Sequence, residues 1–222
     1  MNSKKKLLKK SCLYAIIDKK ISGSRSISNI ANKIKKSQAR VDIIQYRDKE
    51  SKKETIIKNA QGLRKLLLDS KAIFIINDYL DIAKIVGCDG VHLGQDDIPI
   101  EAARRILGKD KIIGLSCHNL KQAIKAQTKG ADYISIGPIF PTPTKPEYKA
   151  VGLSEIKKIK EEIGIPAFAI GGINENNSNL VLLQGIKRIA VCRAVCEAKN
   201  IPKAVKKLRI GLTDDAIRIR QK

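Results

Sequence analysis

A chain of 222 residues, 43% apolar and 30% charged, has the make-up of a globular protein with room for a sizeable core. No apolar run approaches the ~20 residues of a membrane span, and five cysteines without a CxxC pair, beside only two histidines, argue against a disulfide framework or a zinc site. The net charge of +22 would suit a polyanion, but the lysines are spread over nearly every helical stretch, as on solvated outer faces.

The first twelve residues, MNSKKKLLKKSC, are basic, and the apolar run starting at Cys12 stops at Ile17, before Asp18. That run is too short for a secretory signal and no small-residue cleavage site follows. Residues 1–12 therefore read as a solvated tail, and the protein as cytoplasmic. Eight short β-branched runs follow: Leu13–Asp18, Ile43–Arg47, Ile73–Asn77, Gly90–Gly94, Ile112–Ser116, Tyr133–Gly137, Ala167–Gly171 and Arg188–Cys192. Between them apolar residues recur at helical spacing, as in Ile27, Ile30, Ala31 and Ile34, then Ile56, Ala60, Leu63, Leu66 and Leu67. The same spacing returns at Ala102, Ala103, Ile106 and Leu107, at Ala123, Ile124 and Gln127, at Ile156, Ile159 and Ile163, and through Ala204–Leu208. Gly108, Gly130, Gly164 and Gly185 stand where such helices should stop, as left-handed caps.

Strand–helix alternation repeated eight times implies a parallel sheet, because each parallel crossover needs a helix. The expectation is a single-domain α/β protein, a (β/α)8 TIM barrel over residues 13–210, with residues 211–222 as a C-terminal tail. A doubly wound open sheet is the alternative, but it more often has fewer strands. No glycine-rich fingerprint follows the first strand, YAIIDKKISG.

In a barrel, chemistry collects at the C-terminal strand ends, and here the polar residues do the same. The second run carries Gln45, Arg47 and Lys49 on one side. The third ends in Asn77-Asp78, the fourth reaches Asp97, and the fifth ends in Ser116-Cys117-His118. Thr142, Thr144 and Lys145 follow the sixth, Gly171-Gly172 close the seventh, and Cys192-Arg193 close the eighth. Each has a bland reading: a solvated stripe, a tight turn, or helix caps at Asp78 and Asp97. Their coincidence at seven strand ends does not. Arg47, Lys49 and Lys145 suit phosphate or pyrophosphate oxygens. Asp78 and Asp97 suit Mg²⁺ that keeps some waters, and the backbone amides after strands seven and eight suit a phosphate monoester. Two anion sites, one metal-assisted, point to the joining of two phosphorylated molecules.

At these residues the chain resembles the thiamine-phosphate synthase family, over roughly Leu13 to Leu208. The collinear motifs are Q45-Y-R-D-K49, I76-N-D78, G90-V-H-L-G-Q-D-D97, G114-L-S-C-H118, G137-P-I-F-P-T-P-T-K145, A169-I-G-G-I173 and V191-C-R-A194. The resemblance implies a transferase of thiamine biosynthesis, condensing 4-amino-5-hydroxymethyl-2-methylpyrimidine diphosphate with thiazole phosphate through a pyrimidine carbocation. It implies that Gln45 seats the pyrimidine and that Arg47, Lys49, Asn77 and Lys145 hold pyrophosphate. Asp78 and Asp97 would ligate Mg²⁺, and Ser116 would lie beside the reacting groups. Arg47, Ser116 and Lys145 are thereby the catalytic candidates. Thr142 and Thr144 would contact either phosphate, while Gly171 or Gly172 and the Cys192–Arg193 backbone receive the thiazole phosphate. Family members commonly carry Ser where this chain has Arg193, which leaves that side chain free either to grip phosphate or to turn away into an ion pair.

Two alternatives stand beside this reading. A thiazole tautomerase of the same superfamily would use a histidine, and His118 is its candidate; the bland reading has His118 begin the next helix. His92 reads as a packed polar residue in the barrel. A nucleic-acid-binding protein would exploit the charge, but with five Tyr and three Phe it lacks stacking platforms. Small-molecule partners are expected, with no membrane and no nucleic acid; oligomeric state is not readable from the sequence.

Overall fold

The computed structural model describes residues 3–144 and 148–212. Its strands are β1 (Leu13–Asp18), β2 (Ile43–Arg47), β3 (Ile73–Asn77), β4 (Gly90–Leu93), β5 (Ile112–Cys117), β6 (Tyr133–Ile136), β7 (Ala167–Ile170) and β8 (Ile189–Val191). Every neighbour pair is parallel, and β8 returns to β1, so the sheet is closed. The eight runs expected from the sequence are these strands, each within one residue at every boundary.

Closure sends alternate side chains to opposite faces. Tyr14, Ile16, Ile43, Ile73, Ile75, Ile112, Tyr133, Phe168 and Ala190 form a buried cluster inside the barrel. The other parity, with Ile17, Ile44, Tyr46, Phe74, Ile76, Val91 and Ile134, forms the shell against the helices. The helices on the far side of that shell include α3 (Ile27–Lys35), α4 (Lys53–Leu66), α5 (Leu80–Val86), α6 (Ile100–Leu107), α7 (Leu120–Thr128), α8 (Gly152–Glu162) and α11 (Ile201–Ile210). The helical stripes read from the sequence are their buried faces: in α3 the buried residues are Ile27, Ile30, Ala31 and Ile34. Of the four expected glycine stops, Gly108, Gly130 and Gly185 have positive φ. Gly164 does not; its amide donates to Gln127 Oε1 at 2.8 Å instead.

The base of the barrel is tied by a repeated device. Asp42, Asp89 and Asp132 each precede an even-numbered strand and accept an amide at the start of the odd-numbered strand before it. The donors are Leu13 at 3.1 Å, Phe74 at 2.8 Å and Ile113 at 2.8 Å. Asp42 is buried and Asp89 and Asp132 partly so, and carboxylates so placed need counter-charges. Arg209 reaches Asp42 at 2.6 Å and Arg104 reaches Asp132 at 2.6 Å.

That geometry corrects the reading of residues 1–12 as a solvated tail. Ser3–Lys10 is a helix, α1, whose Leu8 is 2% exposed and packs into the interior cluster beneath Tyr14. Lys4 pairs with Asp89 at 3.2 Å and Lys5 with Asp132 at 2.7 Å. An isolated eight-residue lysine-rich helix would be marginal. Here the open lower mouth supplies an apolar socket for Leu8 and two carboxylates for the lysines. Most of the expected C-terminal tail, residues 213–222, lies outside the described residues.

Leu8→Ala should therefore lower the unfolding free energy by about 2–4 kcal/mol, as for a buried leucine, in urea denaturation. A change within about 0.5 kcal/mol, as for an exposed position, would show that α1 is not part of the folded core.

Candidate active site

Above the apolar layer the inward positions turn polar, and this change makes the site. Continuing the inward parity of Tyr14, Ile43, Ile75 and Tyr133 brings Asp18, Gln45, Arg47, Asn77, His92, Ser116 and Ser135 to the upper half of the barrel. All seven line one cavity of about 350 Å³, whose wall also includes Thr142, Thr144, Gly171, Gly172, Cys192 and Arg193. The sequence-predicted residues Gln45, Arg47, Asn77, Ser116, Thr142, Thr144, Gly171, Gly172, Cys192 and Arg193 are thus brought together. Lys145 lies outside the described residues.

Gln45 is 1% exposed and hydrogen-bonds the Tyr14 hydroxyl through Nε2. Tyr14 and Tyr133 hydroxyls meet at 3.0 Å, Tyr133 meets His92 Nδ1 at 3.0 Å, and His92 Nε2 meets Ser116 Oγ at 2.9 Å and Ser135 Oγ at 3.2 Å. The donors order themselves along this chain. If the Gln45 amide donates, Tyr14 donates onward to Tyr133 and Tyr133 to Nδ1, so a neutral His92 presents its Nε2 proton to the serines. Burial pushes both tyrosine hydroxyls well above their ordinary pKa, which keeps them as neutral donors. His92 is the packed polar residue expected, and it also lines the cavity. Gly114 accommodates the Tyr133 ring, because a Cβ there would come within 2.1 Å of Cζ.

Arg47 is clamped by Asp18, which is 2% exposed and also accepts the Ile21 amide at 3.1 Å. Sequence reasoning passed over Asp18, Tyr14, Tyr133 and Ser135. The alternation that put Gln45 and Arg47 on one side applies equally to Tyr14 and Asp18, and would have found them.

Lys49, Asp78 and Asp97 form a second group beside Asn77, at the rim rather than inside the cavity. Lys49 Nζ lies 2.8 Å from Asp78 Oδ2. The Asp78 carboxyl is held above its ordinary pKa by burial; the Lys49 ammonium opposes this, and a hydrogen bond and charge from Asp97 add to it. Asp97 Oδ2 accepts the Gly94 amide at 2.6 Å. Neither aspartate caps a helix: α5 starts after Tyr79 and α6 after Pro99, both without a side-chain cap. Asp78 has φ +62°, the only such non-glycine among the described residues, a conformation that costs roughly 1–2 kcal/mol. Asp78, on its strained backbone after β3, and Asp97, after β4, thus bring two carboxylates together at the rim. Among the described residues no group of three or more His, Cys, Asp or Glu is arranged around a common point.

At the opposite wall Gly171 and Gly172 are imposed by the loop after β6. A Cβ on Gly171 would come within 2.4 Å of Pro138, and one on Gly172 within 2.7 Å of Phe140. Arg193 opens a single helical turn, α10 (Arg193–Cys196). Its Nε donates to Thr144 Oγ1 at 3.1 Å, and its Nη1 pairs with Glu197. Of the two orientations left open by the sequence the ion pair is present, with the guanidinium still on the cavity wall. His118 does not begin α7, whose cap is Asn119. Its Nδ1 bonds the Gly137 carbonyl at 2.6 Å and its ring stacks on Tyr148 at 4.3 Å.

Residues 13–195 match the family model described as thiamine monophosphate synthase. The thiamine-phosphate synthase of Lawsonia intracellularis is 41% identical over 198 residues, covering 89% of this chain and 90% of the relative. That of Shouchella clausii is 40% identical over 203 residues, covering 91% and 96%. Among solved structures, thiamine phosphate pyrophosphorylase from Pyrococcus furiosus superposes with a TM-score of 0.83 at 35% identity, covering 93% of this chain and 97% of that one.

Tyr133→Phe removes the hydroxyl that joins Tyr14 to His92 and leaves their buried polar atoms short of a partner. The expected loss is about 1–3 kcal/mol, read from urea denaturation. An unchanged midpoint would show that the hydroxyl carries no buried bond.

Proposed function

The chain belongs to the thiamine monophosphate synthase family, and we propose that it works as a thiamine-phosphate synthase whose diphosphate site is assisted by Mg²⁺. The substrates are 4-amino-5-hydroxymethyl-2-methylpyrimidine diphosphate and thiazole phosphate; the products are thiamine phosphate and diphosphate. One observation carries the reading: the cavity joins a hydrogen-bonded floor at Gln45 to a cation at Arg47 and to a glycine-lined wall, with a carboxylate pair at its rim.

Gln45 pairs with the polar edge of the pyrimidine and is held in register by Tyr14. Arg47, Lys49, Asn77 and Lys145 receive the diphosphate. Arg47 is pre-oriented by Asp18, so its guanidinium loses little freedom when the charge develops. Asp78 and Asp97 would hold the metal, which would supply positive charge to the leaving diphosphate. The C–O bond to diphosphate breaks heterolytically, both electrons leave with diphosphate, and the methylene cation is stabilised by the aminopyrimidine ring. Ser116, oriented by His92, lies against the reacting centre. The thiazole nitrogen then donates its lone pair to that methylene carbon. Gly171, Gly172 and the Cys192–Arg193 backbone hold the thiazole phosphate in line, with Thr142 and Thr144 beside it. The tautomerase reading is not favoured: the relatives above are named synthases, and His118 is occupied by Gly137 and Tyr148. Action in the cytoplasm fits this chemistry, and no described helix is long and apolar enough to cross a membrane.

The direct test is incubation of the protein with both phosphorylated precursors and Mg²⁺; formation of thiamine phosphate is expected, and none would sink the proposal. Asp97→Ala should abolish turnover while thermal unfolding stays cooperative; unchanged Mg²⁺-dependent kinetics would disprove the metal site. A third prediction follows from the sign of the Asp78 shift. A carboxyl whose pKa is raised on folding weakens the fold as pH rises from its unfolded value through its folded one. Without metal at pH 7, Asp78→Asn should therefore melt above the parent protein, and Mg²⁺ should raise the Tm of the parent but not of the variant. A parent Tm indifferent to Mg²⁺ would count against Asp78 as a ligand.

A further inference from the structure

The polar relay beneath the cavity does more than satisfy its own members. Gln45 and His92 line the cavity, while Tyr14 and Tyr133, which join them, are buried below it and are not part of its wall. Gln45 Nε2 donates to the Tyr14 hydroxyl, the two tyrosine hydroxyls meet at 3.0 Å, and Tyr133 meets His92 Nδ1 at 3.0 Å. Each hydroxyl has one proton and a partner on either side, so the protons run along the relay in one of two directions. In the first, the Gln45 amide donates and His92 carries its proton on Nε2. In the second, Gln45 turns its carbonyl oxygen to Tyr14 and His92 carries its proton on Nδ1. We propose that the first direction is built in, and that Tyr14, Tyr133 and His92 thereby fix the orientation of the Gln45 amide so that it selects an aminopyrimidine over an oxopyrimidine. This deepens the assignment of the pyrimidine to Gln45 and rests on it.

The histidine end of the relay chooses the direction. His92 Nε2 faces two hydroxyl oxygens, Ser116 Oγ at 2.9 Å and Ser135 Oγ at 3.2 Å. One N–H can be shared between two oxygen acceptors, as amides at helix ends are shared between two carbonyls. A single in-plane nitrogen lone pair takes one donor well, so the second direction would set two hydroxyls competing for it. Ser135 is buried, where a hydroxyl that loses such a competition is costly. At the other end the amide already stands with Nε2 toward Tyr14. With one Nε2 proton given to Tyr14, Gln45 offers the cavity its second Nε2 proton beside Oε1. That edge matches a 4-aminopyrimidine, whose amino group donates and whose N3 accepts, as an amide reads the amino group and ring nitrogen of adenine. A 4-oxopyrimidine in its ring N–H form carries the reverse pattern, an accepting oxygen beside a donating N3. To pair with it Gln45 must turn over, and its oxygen then meets the Tyr14 oxygen while the Tyr14 proton is committed to Tyr133. Wrong ligands are thus rejected by an unpaired polar contact placed one residue behind the one they touch.

Two measurements on the full chain test this. The first is the nitrogen-15 NMR spectrum of protein labelled at its two histidines, with His118→Gln to assign the signals; the shifts show which ring nitrogen carries the proton. His92 protonated on Nε2 alone is expected, and a proton on Nδ1, alone or in an imidazolium, would overturn the relay. The second is calorimetric binding of the 4-amino and 4-oxo forms of 5-hydroxymethyl-2-methylpyrimidine diphosphate, with Mg²⁺ and without thiazole phosphate, so that no transfer occurs. The parent protein should prefer the amino compound by roughly 5- to 150-fold, the discrimination that a bidentate amide pair carries. Tyr133→Phe leaves the Tyr14 proton without its acceptor and free to turn to Gln45 Oε1, so the amide can reverse. That variant should lose most of the preference, chiefly by binding the oxo compound more tightly. Tyr14→Phe, which releases the amide altogether, should lose the preference too and serves if Tyr133→Phe fails to fold. A lesion that merely loosens the fold weakens both ligands alike; an unchanged ratio in the variants would overturn the selection. A parent protein that binds neither compound would sink the functional reading and the selection with it, while the His92 spectrum still decides the relay.

Discussion

Closure of eight parallel strands fixes what may point inward, and everything else in the molecule answers to it. The interior has no route to bulk water at its lower end, so each inward group must be apolar or must find a partner inside. Below, isoleucines and Phe168 satisfy the first condition, with Leu8 of α1 as the stopper. Higher up the second condition takes over. Tyr14 and Tyr133 are the hinge between the two regimes: their rings pack edge-on against Phe168 at 5.5 and 5.7 Å, while their hydroxyls start the polar chain that ends at Ser116. The cavity exists because the packed layer ends there, and Gln45 is precise because its partner belongs to that layer.

Charge is organised on the same principle. The net +22 is carried by exposed lysines on the helices, where it is solvated and screened. The consequential charges are few and held in place. Asp18 fixes Arg47, Lys49 leans on Asp78, and Asp42 and Asp132 bind arginines beneath the barrel. At the rim Asp78 combines a left-handed backbone with a carboxyl crowded by Asp97, a cost that packing elsewhere must offset.

The strands were legible because β-branched runs bounded by turns carry their own signal, and the site because barrel geometry says where polar residues at strand ends must converge. Gln45, Arg47, Asn77 and Ser116 meet at one cavity for that reason. What escaped had local signals that pointed elsewhere. Lysine-rich Ser3–Lys10 resembles a solvated tail until the barrel mouth offers Leu8 a socket. Asp18 reads as a strand terminus, and only its inward parity marks it as the partner of Arg47. Gly87 adopts a true left-handed cap at φ +65° and ψ +31° although nothing singled it out, while Gly164, which looked like such a cap, is spent on a tertiary bond to Gln127. Local patterns report local geometry, and these residues owe their state to distant neighbours.

The turn after β8 shows why side chains can depart from a family pattern without moving the site. If the phosphate ester is received by backbone amides, their position is set by where β8 ends and by the close approach of Gly171 to Pro138, not by which side chains the turn carries. Cys192, Arg193, Cys196 and Glu197 are then free to acquire contacts of their own. Arg193 does so by joining Thr144 to Glu197, which ties the loop after β6 to the turn after β8. A backbone site tolerates such additions as long as the turn keeps its shape.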